Sequence, residues 1–183
     1  SGGLASLVEV RMARIGIPGI VAIVTICAGV NVARGQVRIG QWNITNYSSP
    51  NTRDADFRTA IYGVAPNGLQ FAPDILVIQE VIQGGSGNTA AHQSTGQANV
   101  NGFLNLLNTT VGSPGDWAAA PYVANGGDTG NAMFYRTSRF AWMGTASLTT
   151  NTGTGADQAP RDTQRWQVRP VGYSGVPAQL YLY

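Results

Sequence analysis

The run Asp74-Ile75-Leu76-Val77-Ile78-Gln79-Glu80-Val81 constrains this chain more than any other segment. Its four consecutive apolar residues read as a strand buried on both faces, which needs cover on each side. An earlier stretch, Val37-Arg38-Ile39-Gly40-Gln41-Trp42-Asn43, alternates apolar and polar residues and reads as a second strand. Ser48-Ser49-Pro50-Asn51 breaks it. A helix follows, capped by Thr52 or Asp54, with Phe57, Ala60 and Ile61 at spacings of three and four, and Pro66-Asn67-Gly68 ends it.

Beyond the central run, Gly84 to Asn88 is a loop, and a helix spans about Ala90 to Leu107 with Val100, Phe103, Leu104 and Leu107 on one face. After Gly112-Ser113-Pro114-Gly115 the pattern turns to strands alone: Trp117 to Val123, Ala132 to Arg136, Phe140 to Leu148, Trp166 to Val171 and Gln179 to Tyr183. Asn151 to Ala159 is a polar loop. Two strand–helix units followed by a run of strands predict α+β layering.

The chain has 183 residues, 43% hydrophobic and 11% charged, enough for one domain with a core and unlike a disordered chain. Three segments are expected: an upstream or non-native stretch over 1–11, a signal peptide over 12–35, and the folded domain over 36–183. Met12-Ala13-Arg14 supplies a positive start, and Ile15 to Val30 is uncharged and mostly apolar. That length suits a signal peptide better than a membrane span. Ala33-Arg34-Gly35 offers small residues for cleavage, leaving Gln36 first and predicting a secreted or periplasmic protein. A buried helix or an uncleaved anchor is the alternative. Contact with a membrane is expected to be transient, through this segment only, and no stable protein partner is expected.

The formal charge of +2 falls away with that segment, because Arg11, Arg14, Arg34 and Glu9 lie in or before it. The remainder is nearly neutral, which argues against a uniformly basic nucleic-acid surface. The one cysteine, Cys27, also lies there, so the folded domain has no disulfide and no thiol nucleophile.

Several catalytic patterns are excluded. His92 is the sole histidine and reads as helix surface, which leaves no Ser/His/Asp triad and no His-rich zinc site. Gly172-Tyr173-Ser174-Gly175-Val176 misses the nucleophile elbow at its last position. Gly84-Gly85-Ser86-Gly87 lacks the phosphate-loop lysine and the dinucleotide spacing.

What remains is Asn43 and Glu80, each at the end of an early strand. A carboxylate closing a buried strand is costly unless a cation or hydrogen-bond donor meets it. An amide oxygen and a carboxylate are hard ligands suited to Mg²⁺, Mn²⁺ or Ca²⁺. If the two strands are parallel neighbours, their C-terminal ends lie together, where open α/β units place ligands. The same residues also fit a structural role, with Asn43 capping a turn and Glu80 pairing with an Arg.

The wording around the pair resembles the endonuclease/exonuclease/phosphatase (DNase I-like) superfamily. The carriers are the strand ending Trp42-Asn43 and the strand Pro73-Asp74-Ile75-Leu76-Val77-Ile78-Gln79-Glu80-Val81, with looser matches at Gly130 to Arg136 and Arg165-Trp166-Gln167-Val168. The resemblance runs from about Val37 to Tyr183. It implies a four-layered α/β sandwich, of which the first half to two-thirds is present, and metal-dependent cleavage of a phosphate ester in a nucleic acid, phospholipid head group or sugar phosphate. It further implies that Asn43 and Glu80 hold the metal and serve catalysis, while Arg165, or Arg161 if the register differs, faces substrate phosphate.

The family's later His, Asp-x-Asn and Asp-His groups have no match here. The expectation is therefore a fragment of such a hydrolase, with essentially no activity by itself and one sheet's apolar face bare. A non-catalytic secreted binding module built on the same early strands is the alternative.

Overall fold

The apolar run becomes the inner strand of a mixed sheet. The computed structural model describes residues 36–148 and 163–183. The expected upstream segment and expected signal peptide, the expected Asn151 to Ala159 loop and Arg161 lie outside the described residues. Strand β1 is Ile39–Tyr47, helix α1 Asp54–Tyr62, β2 Ile75–Ile82, helix α2 Ala90–Thr109, β3 Trp117–Ala119 and β4 Thr129–Arg136. Then come β5 Phe140–Leu148, β6 Thr163–Pro170, a 3-10 turn Val176–Ala178 and β7 Leu180–Leu182.

The first sheet has the order β1-β2-β4-β3, with β1 parallel to β2 and the other pairs antiparallel. The second is the antiparallel sheet β5-β6-β7. The parallel pair β1/β2 is joined through α1, as a strand–helix–strand crossover requires.

Both faces of β2 are covered, for different reasons. Leu76 and Ile78 point to the helices, among Phe57, Ile61, Phe103 and Leu107. Ile75 and Val77 point the other way, with Met133, onto Phe140, Trp166 and Val168 of the second sheet. Phe103 sits at the centre of the helix-side core. Its ring lies 5.2 Å from Tyr47, 5.7 Å from Phe57 and 5.3 Å from Phe134, in edge-on and tilted pairings that aromatic quadrupoles favour.

The expectation of a bare sheet face is corrected here. Three strands of a second sheet cover it, because Trp166 and Val168 alternate inward along β6. The described residues form three layers (helices, sheet, sheet) of a mixed α/β fold.

Local details also differ. Helix α1 ends at Tyr62, ahead of Pro66, and neither expected residue caps it. Asp54 instead accepts from the Asn51 amide (3.2 Å) and the Tyr47 hydroxyl (3.2 Å). Helix α2 is capped by Thr89, whose hydroxyl accepts from the His92 amide at 3.2 Å. Strand β3 stops at Ala119 because Tyr122 turns to the helix layer. There its amide donates to Gln97 Oε1 at 2.8 Å, and its carbonyl accepts from Gln93.

Candidate metal centre at the end of the parallel strand pair

Asn43 and Gln79 are paired across β1 and β2, and beyond them the register slips until Tyr47 meets Val81. On the other side of β2 the pairing with β4 also slips, between Ile78 and Val81. Glu80 sits inside both slips with φ +66°, a left-handed conformation rare for a non-glycine residue. Thr45 (φ +46°) and Asn46 (φ +51°) share it on the facing strand. Each such residue costs about 1–2 kcal/mol, and clusters of strained residues mark sites where geometry is held for a purpose.

The strained segments converge on one carboxylate. Glu80 Oε1 accepts from Asn43 Nδ2 at 2.8 Å, and Oε2 accepts from the Asn46 amide at 3.3 Å. The Asn43 amide oxygen accepts from the Thr45 amide at 2.9 Å, a local Asx turn. The structure therefore brings Asn43 and Glu80 together. It turns the NH₂ group of Asn43 toward Glu80, where the sequence reading expected its oxygen to be a ligand.

Glu80 makes no ion pair among the described residues, and its side chain is half-buried beside an exposed Asn43. The turn-capping part of the structural alternative is present; among the described residues the Glu80–Arg pair is not. Each carboxylate oxygen retains a lone pair after its one hydrogen bond. Among the described residues no group of three or more His, Cys, Asp and Glu gathers to hold a metal.

Arg165 is not part of this cluster. It alternates with buried Gln164 and Trp166 on β6 and so faces outward from the second sheet, its guanidinium 5.5 Å from the Tyr181 ring. His92 lies in the first turn of α2, with Nδ1 3.0 Å from the Gly87 carbonyl. Tyr47, at the far end of β1, has its hydroxyl pushed up to about 12 by burial.

Three residues near Glu80 escaped the sequence reading. Asn46 is one. Arg53 is another: it donates to the Thr45 carbonyl at 2.7 Å and lies over the Phe57 ring, bracing the strained turn. Gln83 is the third. It is fully buried; its amide nitrogen reaches the carbonyls of Gly85, Gly87 and Gly127, and its oxygen accepts from the Tyr122 hydroxyl at 2.8 Å and the Asn125 amide at 3.3 Å. Gln83 thus ties the two glycine-rich loops beside this end of the sheet to each other. A polar residue directly before Gly84-Gly85, at the end of a buried strand, was the available signal.

The fold and site define a mixed α/β domain with a carboxylate on a strained backbone at the C-terminal end of its parallel strands. No family model matches the chain, and no curated protein does. Solved structures do. The human Nocturnin catalytic domain with bound sulfate matches at 16% identity and a TM-score of 0.42, over 79% of this chain and 48% of that one. An endonuclease/exonuclease/phosphatase family protein from Bacteroides thetaiotaomicron matches at 14% identity and a TM-score of 0.36, over 74% of this chain and 46% of that one. The chain spans about half the length of each, so the likeness is distant and carries no residue's role across.

Proposed function

We propose that this chain supplies the cation-binding part of a secreted, metal-dependent phosphoric-ester hydrolase built on a four-layered sandwich. In this reading Glu80 is the direct ligand of the metal and Asn43 aims it. The observation that carries the reading is Glu80 itself, held in a left-handed backbone at the strand ends by Asn43 and Asn46, with no ion-pair partner among the described residues.

The donor set favours one kind of ion. Ca²⁺ takes six to eight oxygens, several of them from carboxylates in tight sites, and no group of three or more His, Cys, Asp and Glu gathers among the described residues. Mg²⁺ keeps several waters and takes one or two carboxylates together with substrate phosphate; Mn²⁺ accepts similar oxygen ligands. Glu80 fits that requirement. Such an ion polarises a phosphoryl oxygen when bound. Glu80 holds its charge toward the site, Asn43 and Asn46 fix its rotamer, and Arg53 keeps the supporting turn in place. The substrate is a phosphate ester, with nucleic acid, phospholipid head group and sugar phosphate all within the class. Among the described residues no group of three or more His, Cys, Asp and Glu assembles with Glu80 to combine metal binding with activation of water. Turnover by this polypeptide alone is therefore expected at background.

The test is Mn²⁺ binding by electron paramagnetic resonance on the full chain, with bis-(p-nitrophenyl) phosphate hydrolysis in parallel. Weak Mn²⁺ binding that Glu80→Ala abolishes, with background hydrolysis, is the expected result. Equal Mn²⁺ binding by Glu80→Ala and the parent would end the metal reading. Hydrolysis that Glu80→Ala removes would keep Glu80 as the ligand and overturn the inactivity.

A second reading rests on the same hydrogen bonds. Both oxygens of Glu80 and both polar atoms of Asn43 already have protein partners, so the pair can serve as a clamp across the β1/β2 slip in a non-catalytic binding module. Under it, Glu80→Ala lowers the melting temperature and leaves Mn²⁺ binding unchanged. Secretion is proposed from the 12–35 pattern, and N-terminal sequencing of exported protein should begin at Gln36.

A further inference from the structure

The opposite end of the first sheet's strands holds a polar cavity of about 700 Å³ that the proposed function does not use. It is lined by Gln36, Arg38, Gln70, Asp74, Arg136 and Arg139, with Ala72 and Ser138 completing the wall. Arg38 and Asp74 directly precede β1 and β2, Arg136 ends the antiparallel β4, and Arg139 directly precedes β5. Four chain segments therefore deliver their polar ends to one place. Along β1 it lies about 17 Å from Asn43, five residues at about 3.3 Å each.

Asp74 organises the cavity. It is 7% exposed, and its backbone carbonyl accepts from the Arg136 amide at 3.0 Å. Its Oδ2 accepts from the Arg38 backbone amide at 2.9 Å, and Oδ1 meets Arg139 Nε at 3.3 Å. Arg139 Nη2 donates to the Gln36 carbonyl at 3.1 Å. Asp74 and Arg139 thus satisfy each other.

The other two guanidiniums are only partly used. Arg136 pairs with Asp116 through Nε and rests 5.9 Å from the Trp117 ring, leaving both Nη groups without a hydrogen bond among the described residues. Arg38 makes a single long contact, 3.4 Å from Nη1 to the Gln70 carbonyl. Two cationic forks, Arg136 held by Asp116 and the Trp117 ring and the exposed Arg38, line a cavity sized for a small ligand.

We propose that this cavity binds a small, polar phosphomonoester. One carboxylate fills one guanidinium fork, whereas a terminal phosphate has three oxygens and fills two. The remaining wall of amide and hydroxyl groups suits a hydroxylated body. It offers no exposed aromatic ring for base stacking, which disfavours a single-stranded nucleic acid. The phosphate can come from a soluble metabolite or from a lipid headgroup.

The experiment is isothermal titration of the full chain with glycerol 3-phosphate at constant ionic strength. Pelleting with phosphatidylcholine vesicles, with and without phosphatidate, runs beside it. Saturable binding is expected, weakened by about tenfold or more in Arg38→Gln, because that side chain contributes little to the fold. Arg38→Lys, which keeps charge but not the fork, should be intermediate and serves if Arg38→Gln misfolds. Glu80→Ala should bind as the parent does, separating this cavity from the metal centre. Phosphatidate-dependent pelleting assigns the lipid source; binding in solution without pelleting assigns the soluble one. No saturable binding of either ligand, binding unchanged in Arg38→Gln, or binding lost in Glu80→Ala would overturn the proposal.

Discussion

Replacing Asn43 with Asp tests the proposed metal centre and its hydrogen bonds in one change. The Asn43 amide donates to Glu80 Oε1 at 2.8 Å. Asn43→Asp removes that donor and sets a second carboxylate against the first. Loss of a hydrogen bond to a charged group costs about 1.5–3 kcal/mol. Two like charges about 4 Å apart repel by about 1 kcal/mol in water and about 4 kcal/mol at an effective dielectric constant of about 20. Asn43 is exposed and Glu80 only half-buried, so the repulsion belongs near the lower figure. The sum is about 3 kcal/mol, or about 6–12 °C in melting temperature for a domain of this size. Asn43→Ala loses the hydrogen bond without the repulsion and should cost about 1.5–3 kcal/mol, less than Asn43→Asp by about 1 kcal/mol.

A divalent cation reverses the sign of the second carboxylate's effect, because two adjacent acids bind Mg²⁺ better than one. If the variant binds with a dissociation constant of about 1 mM, then about 10 mM Mg²⁺ restores about 1.4 kcal/mol, or about 3–6 °C. The assay is a melt followed by circular dichroism, with and without Mg²⁺, on the parent, Asn43→Asp and Asn43→Ala. Two outcomes refute the reasoning: Asn43→Asp melting within about 2 °C of the parent without metal, or Mg²⁺ raising its midpoint no more than the parent's.

Glu80→Gly should be more stable than Glu80→Ala by about 1 kcal/mol in urea unfolding, against the usual order in a strand, because only glycine takes the left-handed φ without strain. Gly96→Ala should destabilise by about 1–3 kcal/mol although alanine normally favours a helix, since its Cβ would collide with the Tyr122 ring; a higher unfolding midpoint would refute that packing. Phe103→Ala should cost about 3–5 kcal/mol by the same measurement, as the ring touching three others is removed from the core. At alkaline pH the fold should weaken. Tyr47 is pushed up to about 12, while an unfolded tyrosine releases its proton near 10. The stabilisation is whole below about pH 10 and falls by roughly 2–3 kcal/mol as pH rises toward 12. Tyr62 and Tyr135, also raised by burial, add in the same direction, and Tyr47→Phe should flatten the profile.

Much of the layering was legible because burial leaves a period. The unbroken run Ile75 to Ile78 announced two covered faces, and both are covered. Phe140–Leu148 appears with the expected bounds, and the helix from Ala90 runs only a turn fraction longer than expected, to Thr109. The outward direction of Arg165 was legible too. Trp166 and Val168 point inward, so period-two alternation alone sends Arg165 out. What could not be read was the conformation at Glu80, Thr45 and Asn46. None is glycine, and only Asn46 is of a type that favours the left-handed region; for Thr45 and Glu80 the signal exists only where two strands pair.

Parity also explains why the strain is there. In a regular β2, residues 76, 78 and 80 would share a face, and Leu76 and Ile78 lie in the helix-side core. Glu80 would then enter that core, where an unpaired carboxylate costs far more than a left-handed residue. The slips on both sides of β2 change the phase instead. Val81, which regular alternation would send toward the second sheet, is fully buried in the helix-side cluster. One strained residue at about 1–2 kcal/mol lets an apolar side chain take the core position and leaves the carboxylate at the strand ends. A sequence needing only a stable strand could have placed Thr or Val at position 80 and kept the ladder regular. Retaining an acid at the cost of the ladder favours a ligand role for Glu80 over a clamp, because the clamp mends a distortion that the acid itself requires.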